Sequence, residues 1–391
     1  MKSIANLCRT GLKSRVTAII GAQWGDEGKG KLTDILAENY DICARFNGGD
    51  NAGHTIIVGD KRFAFHILPS GMLNMKTINV VGNGVVVNLK SLKKELDALT
   101  EKNVDYEGRL LISDRAHLTV QVHIDADKGQ ETEAGKKQIG TTQKGIGPTY
   151  ATKMRRTGLR VCDLNNFETF KEKYNDLLKS FGKNPNDYPG ELDTLLQMRE
   201  FLLKKNMISD TIGLINKSLK DNKRILLEGA NATLLDIDFG TYPYVTSSST
   251  SIGGSITGLG IPPSVVETVI GICKAYNTRV GSGPFPTECS SSGDTDVGED
   301  IGARGKEFGV TTGRKRRVGW FDVNVLKYSH MVNGFSSINL TKLDIFSPLK
   351  QLKIGVGYKK KDGTLFTGSF PASLEELAEM ECIWEILPGY K

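Results

Sequence analysis

The sequence predicts an α/β protein with a large, mostly parallel central sheet flanked by helices, long functional loops and a helical subregion. Two observations point there. Short β-branched runs (residues 16–20, Thr77–Val81, Arg109–Ile112, Arg224–Leu227 and Ser337–Leu340) recur between segments of helical period, the pattern of strands joined by crossover helices. The first run, Val16-Thr17-Ala18-Ile19-Ile20, reads as a buried strand that opens directly into a glycine-rich loop. Composition agrees with a loop-rich globular enzyme: 391 residues, 39% hydrophobic, 25% charged, with 44 glycines. The formal charge of +6 suits anionic small ligands, and no RNA- or DNA-reading motif accompanies it, so no nucleic-acid partner is expected. Six scattered cysteines without a C-x-x-C pair indicate neither zinc nor a disulfide framework and point to a reduced, cytoplasmic compartment. No apolar run reaches the roughly 18 residues of a spanning helix, so no membrane association is expected.

Residues 1–15 carry Lys2, Arg9, Lys13 and Arg15 without an acid and read as a floppy extension in preference to an organelle-targeting signal. Residues 16–391 read as a single α/β domain. The loop Gly21-Ala22-Gln23-Trp24-Gly25-Asp26-Glu27-Gly28-Lys29-Gly30-Lys31 follows the first strand. Glycines let backbone N–H groups approach an anion, the next helix adds its N-terminal dipole, and Lys29 adds a full charge. It departs from a Walker loop: Gln23 occupies the first glycine's place, and Gly30 follows Lys29 where Ser or Thr would hold magnesium. Asp26 is then either a solvated loop aspartate or a group that binds metal or moves a proton, because a bare carboxylate there would repel phosphate.

Asn47-Gly48-Gly49-Asp50-Asn51-Ala52-Gly53-His54-Thr55 is a second glycine loop, and it sets one of five histidines among small polar residues. His54 is a candidate acid or hydrogen-bond donor, against the plainer reading of a solvated histidine. Leu89, Leu92, Leu96 and Leu99 mark a helix. Gly140-Thr141-Thr142-Gln143-Lys144-Gly145-Ile146-Gly147-Pro148, with Arg155 and Arg156 after it, reads as a phosphate cradle or a turn-rich connection. A helical subregion at about 163–222 carries the core stripe Phe167, Phe170, Tyr174, Leu177 and Leu178, broken between Gly182 and Gly190. Residues 240–260 and 281–316 read as long polar loops, the kind that carry function. Val310-Thr311-Thr312-Gly313-Arg314-Lys315-Arg316-Arg317 offers arginine forks for an acidic substrate, against a localisation patch or a solvated charge run. Ile338-Asn339-Leu340 leads into Thr341-Lys342-Leu343-Asp344, close to the N-K-x-D element that reads guanine.

In order, Q-W-G-D-E-G-K-G-K, N-G-G-D-N-A-G-H-T, G-T-T-x-x-G-I-G-P, L-L-E-G-A-N-A-T-L-L-D-I-D-F-G-T-Y-P-Y-V-T-S-S, T-T-G-R-K-R-R and T-K-L-D resemble the adenylosuccinate synthetase family from residue 16 almost to the C-terminus. The resemblance implies a homodimeric ligase of purine biosynthesis that joins IMP to L-aspartate with GTP as co-substrate and one Mg²⁺ per subunit, through 6-phosphoryl-IMP. It implies Asp26 as base, with His54 and Lys29 as further catalytic residues, and Asp26 and the Gly53 carbonyl as magnesium ligands. GTP would meet Gly25, Glu27, Gly28, Gly30, Lys31, Gly53, Thr55, Arg316, Lys342, Leu343 and Asp344. IMP would meet Asp26, Lys29, Asn51, Ala52, His54, Thr142, Asn231, Thr246 and Arg314, with Arg156 reaching in from the neighbouring subunit. Aspartate would meet Val310, Thr311, Thr312, Gly313, Arg314 and Arg316. Asn231 stands where many bacterial relatives have glutamine. The family also continues past the equivalent of Leu387-Pro388-Gly389 into an S-T-G-P-x-R-like motif that completes the guanine pocket, whereas this chain ends at Lys391. The expectation is weakened GTP affinity or selectivity, and the alternative to a working synthetase is an impaired form that only binds GTP and IMP. A GTPase switch or a nucleotide kinase would need the Walker spacing that this loop lacks.

Overall fold

The computed structural model describes residues 14–390 except 59, 136–137, 309–312 and 314. The expected extension therefore lies outside the described residues up to position 13. Arg15, its last member, is tied to the fold: its backbone and guanidinium both donate to Glu267, at 2.8 and 3.0 Å.

Eight strands form one parallel sheet in the order Ser337–Thr341, Thr268–Lys274, Val16–Gly21, Ile225–Glu228, Ile42–Arg45, Ile78–Val81, Leu110–Ser113, Ile208–Ser209. Val16–Gly21 sits in the middle, and Ile19 pairs with Glu228 on one side and Ile270 on the other. Its side chains alternate: Ala18 and Ile20 pack with Leu227, Leu259 and Phe335 on one face, and Ile19 packs with Leu36 and Leu226 on the other. A strand buried on both faces is largely apolar, and the one polar side chain here, Thr17, is fully buried with its hydroxyl accepting from the Tyr40 hydroxyl at 2.7 Å.

All five predicted runs are strands of this sheet. Two inner strands carried no usable signal. Ile42–Arg45 is four residues long and ends in a buried arginine. Thr268–Lys274 is interrupted by Gly271, where a Cβ would lie 2.7 Å from the Phe335 ring, so the glycine admits the helix-end aromatic behind the sheet. Antiparallel pairs were also unforeseen: the arm His54–Val58 with Lys61–Phe65, and the hairpin Gln351–Lys360 with Met380–Pro388.

The leucine-marked helix is Leu89–Glu101, N-capped by Asn88, whose side chain accepts from Ser91 N–H. The helical subregion resolves into Phe167–Ser180, Glu191–Lys204 and Thr211–Lys220, with a short turn Pro185–Asp187 at the expected break. Phe170, Tyr174, Leu177 and Leu178 are buried in one cluster with Leu89, Leu92, Leu96 and Leu99. The two stretches expected to be loops are corrected in part. Residues 240–260 contain the helix Ile252–Leu259, and 281–316 contain the helix Thr295–Gly305, both glycine-rich enough to hide their period.

Candidate active site

The loops leaving the carboxyl ends of the central strands converge on one cavity of about 640 Å³, a size suited to small-molecule substrates and at the sheet edge where parallel α/β folds bind ligands. After Val16–Gly21 the chain turns through left-handed residues, Gly25 at φ 91°, Asp26 at 62° and Gly28 at 90°, and enters the helix Lys29–Ala37. The loop folds around Glu27. Its buried carboxylate accepts from Gln23 and Gly25 N–H at 3.2 and 2.8 Å and pairs with Lys29 Nζ at 2.7 Å. Glu27 thus lies beneath the cavity floor, whereas Gly25, Asp26, Gly28, Lys29, Gly30 and Lys31 line it.

Asp26 is held from across the cavity. Arg316 Nε lies 2.8 Å from Asp26 Oδ2, and Arg316 Nη1 lies 2.8 Å from Glu307 Oε2. Glu307 is the hub of a charged cluster that the sequence reading did not single out. Its other oxygen takes Lys342 Nζ at 2.7 Å, the Tyr276 hydroxyl at 2.6 Å and Lys274 Nζ at 3.3 Å. Burial alone would raise this carboxyl, but Lys274, Lys342 and Tyr276 bring it down to about 2. Lys274, brought down to about 8 by its own burial, is still protonated at neutral pH. The T-K-L-D element closes the same wall: Thr341 Oγ1 donates to Glu27 O at 2.9 Å, and Lys342 lines the cavity. Leu343 and Asp344 lie beyond that lining; Leu343 is exposed, and its carbonyl accepts from the Tyr390 hydroxyl.

The opposite wall is built from hydrogen bonds. Asn47 clamps the second glycine loop to the 229–250 loop, donating to Ala230 O and accepting from Ala230 N–H at 3.1 and 2.9 Å. Asn51 Nδ2 donates to Thr246 Oγ1 at 3.3 Å, so two residues implied for IMP are adjacent. Asn231, left-handed at φ 63°, has a buried Oδ1 with no hydrogen-bond partner among the described residues, and the Thr55 hydroxyl is in the same condition. Both residues line the cavity, as do Ala52, Gly53 and His54, and each offers an unused polar atom for a ligand. Thr142 comes to the cavity on a loop held by two acids of the helix Gln121–Ala134. Asp127 accepts from the Thr141 hydroxyl and Gly145 N–H, both at 2.9 Å; Glu131 accepts the N–H groups of Ile139, Gly140 and Thr141 at 3.0–3.2 Å. Burial pulls the His54 imidazole below its ordinary range, opposed by the Glu228 charge and reinforced by Arg45.

Sequence reasoning missed Arg279, Glu228, Asp127, Glu131 and Glu307. Arg279 is 1% exposed yet reaches the cavity, with Nη2 donating to Thr241 at 3.0 Å and its guanidinium 5.4 Å from the Trp24 ring. All five have a glycine within two residues, so glycine punctuation did not set them apart, and nothing local shows that these side chains are buried and paired. Arg156 ends the helix Ile146–Arg155 in a left-handed C-cap, exposed and outside the cavity lining. Val310, Thr311, Thr312 and Arg314 lie outside the described residues; Gly313, at φ 65°, is exposed.

Comparison with known proteins shows the family. Residues 18–391 match the family model described as adenylosuccinate synthetase. The chain belongs to the adenylosuccinate synthetase family. It is similar to the adenylosuccinate synthetase of Paramecium tetraurelia, at 56% identity over 387 residues covering 98% of this chain and 88% of that one. It is also similar to the chloroplastic adenylosuccinate synthetase of Arabidopsis thaliana, at 50% over 394 residues, 99% of this chain and 79% of that one. Among solved structures, the fully ligated adenylosuccinate synthetase of Plasmodium falciparum superimposes with a TM-score of 0.90 at 45% identity, covering 97% of this chain and 89% of that one. The protein is therefore a ligase of the purine nucleotide family, on the family's fold.

Proposed function

We propose that this synthetase phosphorylates IMP on its 6-oxygen with GTP and then displaces that phosphate with the amine of L-aspartate, releasing adenylosuccinate, GDP and phosphate. The observation that carries the reading is the meeting of Asp26, Lys29, His54, Asn231 and Arg316 on one cavity with room for a nucleotide. Asp26 removes the N1 proton of IMP, which drives electron density onto the 6-oxygen for attack on the γ-phosphorus. The carbon–oxygen bond to the 6-phosphoryl group then breaks as the aspartate nitrogen bonds to the same carbon, because phosphate leaves readily where oxide does not. Lys29 and the amides at the start of the helix Lys29–Ala37 receive GTP phosphates. His54 donates to a phosphate oxygen, and Asn51, Thr142, Asn231 and Thr246 hold IMP. Lys342, Leu343 and Asp344 read guanine, and the 310–316 loop with Arg316 takes the aspartate carboxylates.

Asp26 and the Gly53 carbonyl are hard oxygen donors lining the same cavity, a donor set that fits Mg²⁺. Held by these two groups, Mg²⁺ would supply positive charge to offset that of the nucleotide phosphates. Arg156 is exposed and outside its own cavity, which supports its service to the neighbouring subunit of a homodimer. We place the protein in the cytoplasm. No helix among the described residues is long and apolar enough to cross a membrane.

The test is phosphate release by the purified protein with GTP, Mg²⁺, IMP and L-aspartate, each left out in turn. Release that requires all four, with ATP unable to replace GTP, is the expected result. Nucleotide binding without release would show the non-turnover form instead, for which no observation in the site speaks.

A further inference from the structure

The His54 ring is anchored by Ser70, outside every motif noted above, and by Glu228, the acid of the L-L-E-G-A-N-A-T motif to which no role was given. Its Nε2 lies 2.8 Å from Ser70 Oγ, which lies 2.6 Å from Glu228 Oε1. Ser70 also donates its backbone N–H to Glu228 Oε2 at 2.8 Å, so both carboxylate oxygens are engaged by one residue. The Cys43 thiol approaches Oε2 at 3.6 Å. Ser70 opens the short turn Ser70–Leu73, and Gly71 brings that turn close: a Cβ there would lie 2.6 Å from Cys43 Cβ. Gly30 does the same for the ring, since a Cβ at that position would lie 2.6 Å from His54 Cγ. Gly30 is glycine for this reason as well as for the anion. Ser70 is fully buried and Glu228 is 5% exposed.

Counting hydrogens fixes the direction of the chain. A carboxylate has none to give, so the Ser70 hydroxyl hydrogen is committed to Glu228. Its oxygen can then only accept from the ring, and Nε2 must carry the hydrogen. Nδ1 has no hydrogen-bond partner among the described residues and is left as the nitrogen that faces a ligand; a ring that donates from it to a phosphate oxygen is the imidazolium, with Nε2–H still held by Ser70.

We propose that Ser70 and Glu228 are positioning residues for His54, a buried acid–hydroxyl pair that seats the imidazole against Gly30 and sets which ring nitrogen meets the substrate. The proposal rests on the synthetase reading for its consequence in turnover, but the ring's tautomer can be read without it. The plainer account is that Glu228 only caps the Ser70 turn.

The experiment is ¹⁵N NMR of the histidine rings in the full chain, with His54 assigned through His54→Asn, alongside steady-state kinetics, for Ser70→Ala and Glu228→Gln. In the unaltered protein the His54 ring is expected to carry its hydrogen on Nε2, and Ser70→Ala is expected to mix the tautomers. Both variants should lower kcat by about 10- to 100-fold, as loss of such supporting partners does elsewhere, with KM for IMP and GTP within about threefold. Unchanged tautomer in both variants would overturn the proposal, as would a loss of activity carried by KM alone. If the unaltered protein makes no adenylosuccinate, the synthetase reading fails, while the tautomer comparison still decides the anchor. Glu228→Gln keeps the shape of the site and serves where Ser70→Ala does not fold.

Discussion

The two walls of the cavity are held by different physics. On the wall carrying Asp26, four side chains from three segments of the chain, Lys274 with Tyr276, Arg316 and Lys342, meet on one buried carboxylate, Glu307. On the facing wall, backbone N–H groups of the 139–145 loop are gathered by Glu131 and Asp127, and Asp236 does the same for the N–H groups of Asp238, Phe239, Thr250 and Ser251. The first arrangement is long-range, so removing one member leaves buried charges without partners. The second is local and repetitive, and loosens by degrees. The wall carrying Asp26 is therefore the one that fails as a unit.

The sharpest break is Asp26→Asn. It removes the proposed base and one hard oxygen donor while keeping the side chain's size. Adenylosuccinate formation at saturating substrates should fall by about 10³-fold or more, about 4 kcal/mol of barrier, with GTP binding measured by calorimetry retained. A kcat within tenfold of the unaltered protein would exclude Asp26 as the base.

Next is Glu307→Gln, which leaves the fully buried Lys274 and the largely buried Arg316 facing an amide. Breaking a buried ion pair on one side costs about 3–5 kcal/mol, so denaturant unfolding should show a loss of that order. The pH dependence carries the same signature. A carboxyl brought down to about 2 in the folded protein contributes stability that is present above the unfolded value near 4.5 and is lost as pH falls through about 2. The variant should lose that part of the acid slope. An unchanged acid unfolding curve would show that Glu307 is not the charged hub.

How much of this was legible follows the same division. The glycine-punctuated loops announced themselves because a backbone that approaches an anion needs glycines at set places, as Gly25 and Gly28 show with φ near 90°. Four of the five legible strands were so because burial on both faces demands largely apolar runs; Ser337–Thr341, at the sheet edge and only partly buried, was found by its short run alone. Glu307, Lys274, Glu131 and Asp127 were not, since an acid or a lysine in a polar stretch looks the same whether it is solvated or neutralised by partners up to 35 residues away. Thr268–Lys274 was hidden by Gly271, a concession to Phe335 that only the packed structure explains. Tertiary pairing, not local pattern, gives those residues their roles.

The mildest break is on the hydrogen-bonded wall. In Glu131→Gln the amide oxygen can still accept one or two of the three N–H groups now at 3.0–3.2 Å, so the loop keeps its path while losing the charge that tightens it. The difference between charged and neutral acceptors is about 1–2 kcal/mol, and it falls on the ordering of the loop that presents Thr142. KM for IMP should therefore rise by about tenfold, with kcat nearly unchanged and thermal stability little altered. The bond geometry also says why the two acids are not equivalent. Asp127 holds the Thr141 hydroxyl, which can turn away to solvent, and only one N–H, that of Gly145 at the loop's far end, so Asp127→Asn should raise the same KM by less than Glu131→Gln does. The reverse order would place the loop's anchor at Gly145 instead of at residues 139–141.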